Sequence, residues 1–546
     1  FYELMDYVYY LGQIESKLNN TKSAIKVIED FETRIEALTT NKKALRQLAL
    51  EIGSFYQSIG DSETAKDYNL KALEITKTMP EATGKDLALI ESNLGVFYSR
   101  LGDLTTATEF HKKGLNSLKS DSTSSADSYY ISYNSLGGMM WYASKFDSAI
   151  YYYKKADKTL KSLEQTPWNK YYRSASLNNN IAGIFSIKGD LDASINAMRT
   201  TVNNLNAFLK EDVSDVRRTH AQEFLYQAIE NYAGLYKDIG DYKKAKQLLS
   251  YAFQLKNKNL PSESPEIAKG KVLLGQVEVT LKNFDKAEKL LNEGIKHFEN
   301  NNGDYNYWLA DAYYSKAIIH SELKNEDTAK TYFEKSEDYY KVSLGNYYDQ
   351  QYLDFTVNAS NFFSEIGNKE KALSMANEAL EYIKTNQGEK TLLEYYQVLN
   401  LADIYYQSRD YDNALLYSDK ALELINSKDF IKNSKLNTLK VESNKVSAIL
   451  TKVKTNLKLK STKDEVFLKA QLSEIENAIK LLENQKSVIS GDNAVAILIQ
   501  DNADVFKIAK TLNLELYQLT KNEKYLENLL GYHESMICLL YTSDAA

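Results

Sequence analysis

Five histidines, His111, His220, His297, His320 and His533, and one cysteine, Cys538, are the side chains best suited to metal ligation or nucleophilic catalysis. A metal site needs several such ligands converging at short spacing. Here they are scattered along the chain, so the histidines read as packing or surface residues, and neither a metal nor a cofactor is expected. His533 and Cys538 invite a nucleophile–base reading, but Cys538 opens a tail that does not read as native sequence. The sequence holds no GxxxxGK[ST], no GxGxxG after a strand, no GxSxG and no HExxH. Carboxylates are plentiful but dispersed, which gives no acid–base pair to nominate. This chain is not expected to be an enzyme by itself.

One polar series does recur with a register. Asn93, Asn180, Asn231, Asn358 and Asn400 each stand two residues before a small residue. An asparagine amide both donates and accepts, so it can pair with the backbone of an extended peptide whatever that peptide's sequence. A series of one amide per structural repeat is the spacing a ladder along a bound chain requires. The bland alternative is that each amide bonds a neighbouring helix and tightens the stack.

The elements that position these amides follow from the small residues themselves. Gly12, Gly53, Gly95, Gly137, Ala182, Ala233, Gly275, Ala317, Ser360 and Ala402 recur about every 42 positions, with longer steps of 45 and 51 around Ala182. Twelve residues after each comes a second small residue: Ala24, Ala65, Ala107, Ala149, Ser194, Ala245, Ala287, Ala329, Ala372 and Ala414. A fixed period of this size means stacked supersecondary units. Each unit reads as two amphipathic helices separated by Gly60-Asp61, Gly102-Asp103, Gly189-Asp190, Gly240-Asp241, Gly367-Asn368 or Arg409-Asp410. Glycine there ends one helix and Asp or Asn caps the next. The two small residues mark the crossing of the paired helices, where a larger side chain costs about 1–3 kcal/mol. The 51-residue step inserts nine residues around Leu209–Val216, which predicts longer helices there and a local change of curvature.

Aromatic residues three past the first small residue (Tyr56, Tyr98, Phe185, Tyr236, Phe363, Tyr405) and small residues nineteen past it (Ala72, Gly114, Ala156, Ala252, Gly294, Ala379, Ala421) complete the unit. This constellation resembles the tetratricopeptide repeat in its 42-residue form, like that of kinesin light chains, over residues 1–426. The resemblance implies an all-α, right-handed superhelical solenoid of about ten helix-turn-helix repeats whose concave face holds a protein or peptide. The only four prolines, Pro80, Pro167, Pro261 and Pro265, fall between units.

A formal charge of −7 argues against nucleic acid as the main partner. No apolar run is long enough to span a membrane, and a single cysteine fits a reducing, cytoplasmic setting. Most of the 42 tyrosines fall at packing positions.

Past Asn426 the beat fades. Residues 437–460, 464–490, 492–519 and 523–534 read as long amphipathic helices, so 427–537 is expected to be a helical extension. Leu514–Met536, LELYQLTKNEKYLENLLGYHESM, resembles the segment that joins repeats to protease in repeat-bearing CHAT proteins. The matching residues are Leu516, Tyr517, Leu519, Thr520, Glu523, Lys524, Tyr525, Leu526, Glu527 and Glu534; Gly531-Tyr532-His533 departs from the pattern. The resemblance implies a caspase-like cysteine protease downstream in cis. The chain opens at Phe1 inside a helical pattern, and Cys538–Ala546, CLLYTSDAA, looks like a translated sequencing adapter. A metagenomic, bacterial fragment cut at both ends is therefore expected. The leading expectation is the peptide-binding sensor of a CHAT protease. The alternatives are a stand-alone interaction scaffold and the sensor of a repeat-bearing transcriptional regulator.

Overall fold

The computed structural model describes every residue except 1, 144, 189, 302, 387–389, 428–434, 487–497 and 542–546. Gly189 of the punctuation series, parts of the helical stretches expected after Asn426, and the end of the adapter-like tail lie outside the described residues. The described residues are all-α, as the repeat requires, and they divide into two compact units, Phe1–Ile181 and Ala182–Ala546.

The first unit opens with a 3-10 turn at Tyr2–Tyr7, followed by α1 (Val8–Leu18), α2 (Thr21–Leu38), α3 (Lys42–Ser58) and α4 (Ser62–Lys77). It continues through α5 (Gly84–Arg100), α6 (Leu104–Ser120), α7 (Ala126–Tyr142) and α8 (Phe146–Ser162). The unit boundary falls within α9 (Ser174–Ile187). The second unit runs through α10 (Leu191–Phe208), α11 (Asp215–Asp238), α12 (Tyr242–Asn259), α13 (Pro265–Thr280) and α14 (Phe284–Glu299). Next come α15 (Asn306–Glu322), α16 (Glu326–Leu344), α17 (Gln350–Glu365), α18 (Lys369–Asn386), α19 (Leu392–Gln407) and α20 (Tyr411–Ile425). It ends with α21 (Lys435–Leu459), α22 (Glu465–Lys486), α23 (Ala503–Thr520) and α24 (Lys524–Tyr541).

Each odd-numbered helix packs on the even-numbered helix that follows it, from α1–α2 to α7–α8 in the first unit and from α11–α12 to α19–α20 in the second. The turn between partners is what the punctuation predicts. Gly60, Gly102, Gly240 and Gly367 sit in the left-handed region at φ +80 to +86°, where a side chain is disfavoured. The Asp or Asn that follows then caps the next helix: Asp61 accepts from the Thr64 amide at 3.0 Å, Asp103 from that of Thr106 at 2.9 Å and Asn368 from that of Lys371 at 3.2 Å. Three turns adopt the same conformation without glycine, at Lys282, Lys324 and Arg409.

The small residues lie at the crossings. All nine alanines of the second series are fully buried. The lone serine among them, Ser194, is fully buried too, and satisfies its hydroxyl by donating to the Ala182 carbonyl at 2.7 Å. At four glycine anchors a Cβ would collide with the residue sixteen positions on. Gly53 faces Asn69 at 2.6 Å, Gly95 faces His111 at 2.6 Å, Gly137 faces Tyr153 at 2.6 Å and Gly275 faces Leu291 at 2.9 Å. The missing methyl is therefore filled by a large side chain from the partner helix.

The inserted residues around Leu209–Val216 lengthen α11 to 24 residues, against 16 or 17 in α13, α15, α17 and α19. Past Asn426 the period fades but the stacking continues: α20 packs on α21, α21 on α22, α22 on α23 and α23 on α24. Within the second unit the stack curls until α10 touches α21, and Lys282 reaches Asp501 at 3.1 Å. One core cluster of this unit runs from α15 to α19, where Phe333, Phe355, Phe363, Tyr340 and Tyr395 are wholly enclosed.

Candidate functional site

Because packing residues occupy one face of each odd-numbered helix, the opposite stripe is left to face the inside of the curl. In the second unit that inner wall lines an open cavity of about 570 Å³. Lys237 and Asp238 of α11, with Tyr242 of α12, form one end, followed by Gln276, Val279 and Thr280 of α13. Tyr314, Ser315 and Ile318 of α15 stand at the middle. Gln351, Asp354, Val357 and Asn358 of α17 and Tyr396, Leu399, Asn400 and Asp403 of α19 complete it.

The lining residues share a register. Counted from the small residue of each repeat, α15 contributes positions −3, −2 and +1, and α19 contributes −6, −3, −2 and +1. These offsets recur at three- and four-residue intervals, which is one face of a helix. The first unit repeats the rule. A second cavity of about 490 Å³ is lined by Tyr9 of α1, Glu51, Ser54, Gln57 and Ser58 of α3, and Arg100 of α5. Those α3 residues stand at −2, +1, +4 and +5 from Gly53. Burial, and next the charge of Asp6, raise the Glu51 carboxyl above the usual range.

The structure brings two of the five asparagines together. Asn358 is exposed on the wall of the larger cavity, where its Nδ2 donates to Tyr314 Oη at 2.7 Å and to the Asp354 carbonyl at 3.0 Å. Asn400 is 1% exposed and donates to Ser360 Oγ at 2.8 Å. The other three are placed elsewhere. Asn93 reaches Asn69 Oδ1 at 3.4 Å, Asn180 bonds the Tyr153 hydroxyl, and Asn231 is exposed on α11 away from the cavity.

Sequence reasoning passed over the carboxylates of this wall. Asp403 accepts from Thr451 Oγ1 at 2.7 Å, and burial pushes its pKa up to about 6 against the opposing effects of that bond and of Lys454. One layer beneath, Asp311 is 4% exposed, holds the Tyr340 hydroxyl, and is raised by burial to about 7. Tyr314, desolvated above Asp354, is held well above the ordinary phenol range. The α17 and α19 register positions carried the signal: Asp354 lies four residues before Asn358, and Asp403 three after Asn400.

The histidines do not converge. His111 is buried in α6, His220 is exposed, His297 packs beside Phe298 and Tyr305, and His320 lies beside Tyr332. Among the described residues no group of three His, Cys, Asp or Glu is placed to hold a metal ion, and no helix is long and apolar enough to cross a membrane. The Cys538 side chain lies outside the described residues.

Residues 266–341 and 398–428 match the tetratricopeptide-repeat family, in keeping with the helix pairs of α13–α16 and α19–α20. No curated protein matches the sequence. Among solved structures, the chain is similar to the apo form of RapI, with 16% identity and a TM-score of 0.45 over 70% of this chain and 97% of that one. It is similar to the apo quorum sensor NprR of B. thuringiensis, with 13% identity and a TM-score of 0.43 over 78% and 97%. It is also similar to the APC/C hetero-tetramer Cut9–Hcn1, with 14% identity and a TM-score of 0.41 over 97% and 96%.

Proposed function

We propose that this chain is an interaction scaffold that holds an extended peptide segment of a partner protein against the inner wall of its second unit. The observation that supports the reading is the cavity of about 570 Å³ on which amides, carboxylates and tyrosines of α11, α13, α15, α17 and α19 converge. Its volume is that of a specific ligand site, and its wall mixes aromatic area with groups that bond a peptide backbone. The test is retention of a random acetylated hexapeptide pool by the full chain. Asn358→Trp plugs the mouth from an exposed position, and Leu89→Trp, exposed on α5 outside this cavity, is the control. Loss of retention in the first variant alone supports the reading. No retention, or retention indifferent to the plug, overturns it.

A second reading makes this scaffold the sensor of a CHAT-type protease, and it rests on the Leu514–Met536 resemblance alone. Reading the gene past codon 546 decides it. A β-rich domain with a histidine and a cysteine supports the protease. A stop codon leaves the stand-alone scaffold, and a basic helix-turn-helix makes the chain a regulator's sensor.

A further inference from the structure

One stacking face of the first unit is bare. At the joint between the first two helix pairs, α3 turns Leu48, Ile52 and Phe55 towards the pair before it, where they pack with Val8 of α1 and with Ile28 and Ile35 of α2. Phe55 also fills the notch at Gly12. At the next joint α5 turns Ile90, Leu94 and Phe97 the same way, and Ile90 and Leu94 pack with Ala49 of α3 and Leu73 of α4. All six are at most 2% exposed. Counted from the small residue of each repeat, they stand at −5, −1 and +2.

The same three positions of the first repeat are Tyr7, Leu11 and Ile14, which are 66%, 37% and 56% exposed. Leu4 and Leu18, at 53% and 75%, continue the stripe at its two ends. The helix α1 packs on α2 and α3, and both leave this stripe uncovered. Burying such side chains elsewhere in the stack is what holds one pair to the next.

The stripe itself points to what covers it. Its residues follow one another in steps of three, four, three and four, which is the seam of a two-stranded coiled coil. Such a seam can pair with its own copy about a two-fold axis. Charge sets the direction. Asp6 stands near the start of the stripe and Lys17 near its end, both exposed and on one flank. Asp6 acts on Glu51 of the first-unit cavity, and Lys17 lies one turn past Gln13, which bonds Ser58 of that cavity. A parallel pair would set Asp6 beside Asp6 and Lys17 beside Lys17. An antiparallel pair sets each Asp6 beside the other copy's Lys17.

We propose that two copies of this chain join through this stripe, α1 against α1 in antiparallel sense about a two-fold axis near Leu11, with Asp6 paired to Lys17 on each side.

Sedimentation velocity of the full chain tests this over about 1–100 µM, the range suited to a small interface, in reducing buffer so that Cys538 cannot link copies. The chain should pass from monomer to dimer within that range. Ile14→Glu and Leu18→Glu, both at exposed positions and each checked for an unchanged melting temperature, should raise the dissociation constant by about tenfold or more, since each puts two carboxylates into the seam. Leu89→Glu, exposed on α5 outside the stripe, should leave it unchanged. Lys17→Glu should weaken the dimer by about fivefold, because the axis counts the pair twice, and adding Asp6→Lys should restore it. A monomer at the highest concentration overturns the proposal and leaves the stripe to a helix pair of another protein. A dimer indifferent to Ile14→Glu and Leu18→Glu overturns it too. A dimer that these variants abolish but the charge exchange does not restore is not the antiparallel pair, and equally overturns it.

Discussion

His111→Leu should make the first unit more stable and remove most of its sensitivity to mild acid. His111 fills the space left by Gly95, is 2% exposed, and has no hydrogen-bond partner on either ring nitrogen. Burial alone lowers its pKa from 6.5 to about 4. The folded state therefore disfavours the imidazolium, while the unfolded chain binds a proton readily. Between these pKa values the unfolded state binds more protons, so stability is complete above pH 6.5 and falls as pH drops towards 4. The full shift corresponds to about 3 kcal/mol, and about 2 kcal/mol of it is already lost at pH 5. Leucine is the natural replacement because Leu291 occupies the same position opposite Gly275. It also removes two buried, unsatisfied nitrogens, which is worth about 1–3 kcal/mol at neutral pH. Glu91, raised by burial with its Ser117 bond opposing, titrates with the opposite sign, but it is present in both proteins and cancels in the difference. Stacked repeats open locally, so the measurement is hydrogen exchange of the α5 and α6 amides at pH 7 and pH 5, corrected for intrinsic rates. Protection in the wild type should fall by about 2 kcal/mol more than in His111→Leu. Parallel profiles would refute the assignment of a neutral, desolvated imidazole.

Three further substitutions probe the helix interiors and turns. Gly137→Ala should destabilise the chain by about 1–2 kcal/mol, because the new methyl meets the Tyr153 ring at 2.6 Å and overpacking outweighs the helix preference of alanine. Gly234→Ala, with nothing within 4 Å, should stabilise by up to about 1 kcal/mol; opposite shifts in melting temperature are the check. Arg409→Gly should stabilise by about 1 kcal/mol, since Arg409 holds φ +61° where Gly60, Gly102, Gly240 and Gly367 stand in sister repeats. A lower denaturation midpoint would show that Arg409 makes contacts outweighing its backbone strain.

The packing was legible in the sequence because it repeats by residue type. Small residues, turn glycines and capping aspartates recur in one register, so Ala65, Ala107 and Ala149 could be assigned to crossings before any coordinate. The residue that fills each glycine notch was not legible, because Asn69, His111, Tyr153 and Leu291 have only their position in common. The stacking past Asn426 was hidden for a different reason. The helices α21 and α22 grow to 25 and 22 residues, which breaks the 42-residue period while the pairing itself persists. Among the asparagines, register alone was insufficient. Asn93, Asn180 and Asn358 share one offset, but only the curl of the second unit turns Asn358 towards a cavity, whereas Asn180 meets a tyrosine sixteen residues past Gly137.

This separation has a consequence for how such a scaffold can change its ligand. Positions 0, +12 and +16 of each repeat are fixed by close packing, where a single methyl is felt. Positions −6, −3, −2 and +1 face the cavity and carry Asp354, Val357 and Asn358 in one repeat and Tyr396, Leu399, Asn400 and Asp403 in the next. Position 0 lies on a different face of the wall helix and positions +12 and +16 lie on its partner helix, so most side chains of the wall can vary without disturbing the stack. Asn400 and Asp403 are the exceptions. Asn400 bonds the small residue of the preceding repeat, Ser360, and Asp403 bonds Thr451 of α21, so these two groups couple the wall to the stacking of three successive helix pairs. A peptide seated on this wall would press on the side chains that join α17, α19 and α21. Bound peptide should therefore slow hydrogen exchange in α21, which does not line the cavity, and unaltered α21 exchange at saturating peptide would separate the wall from the stack.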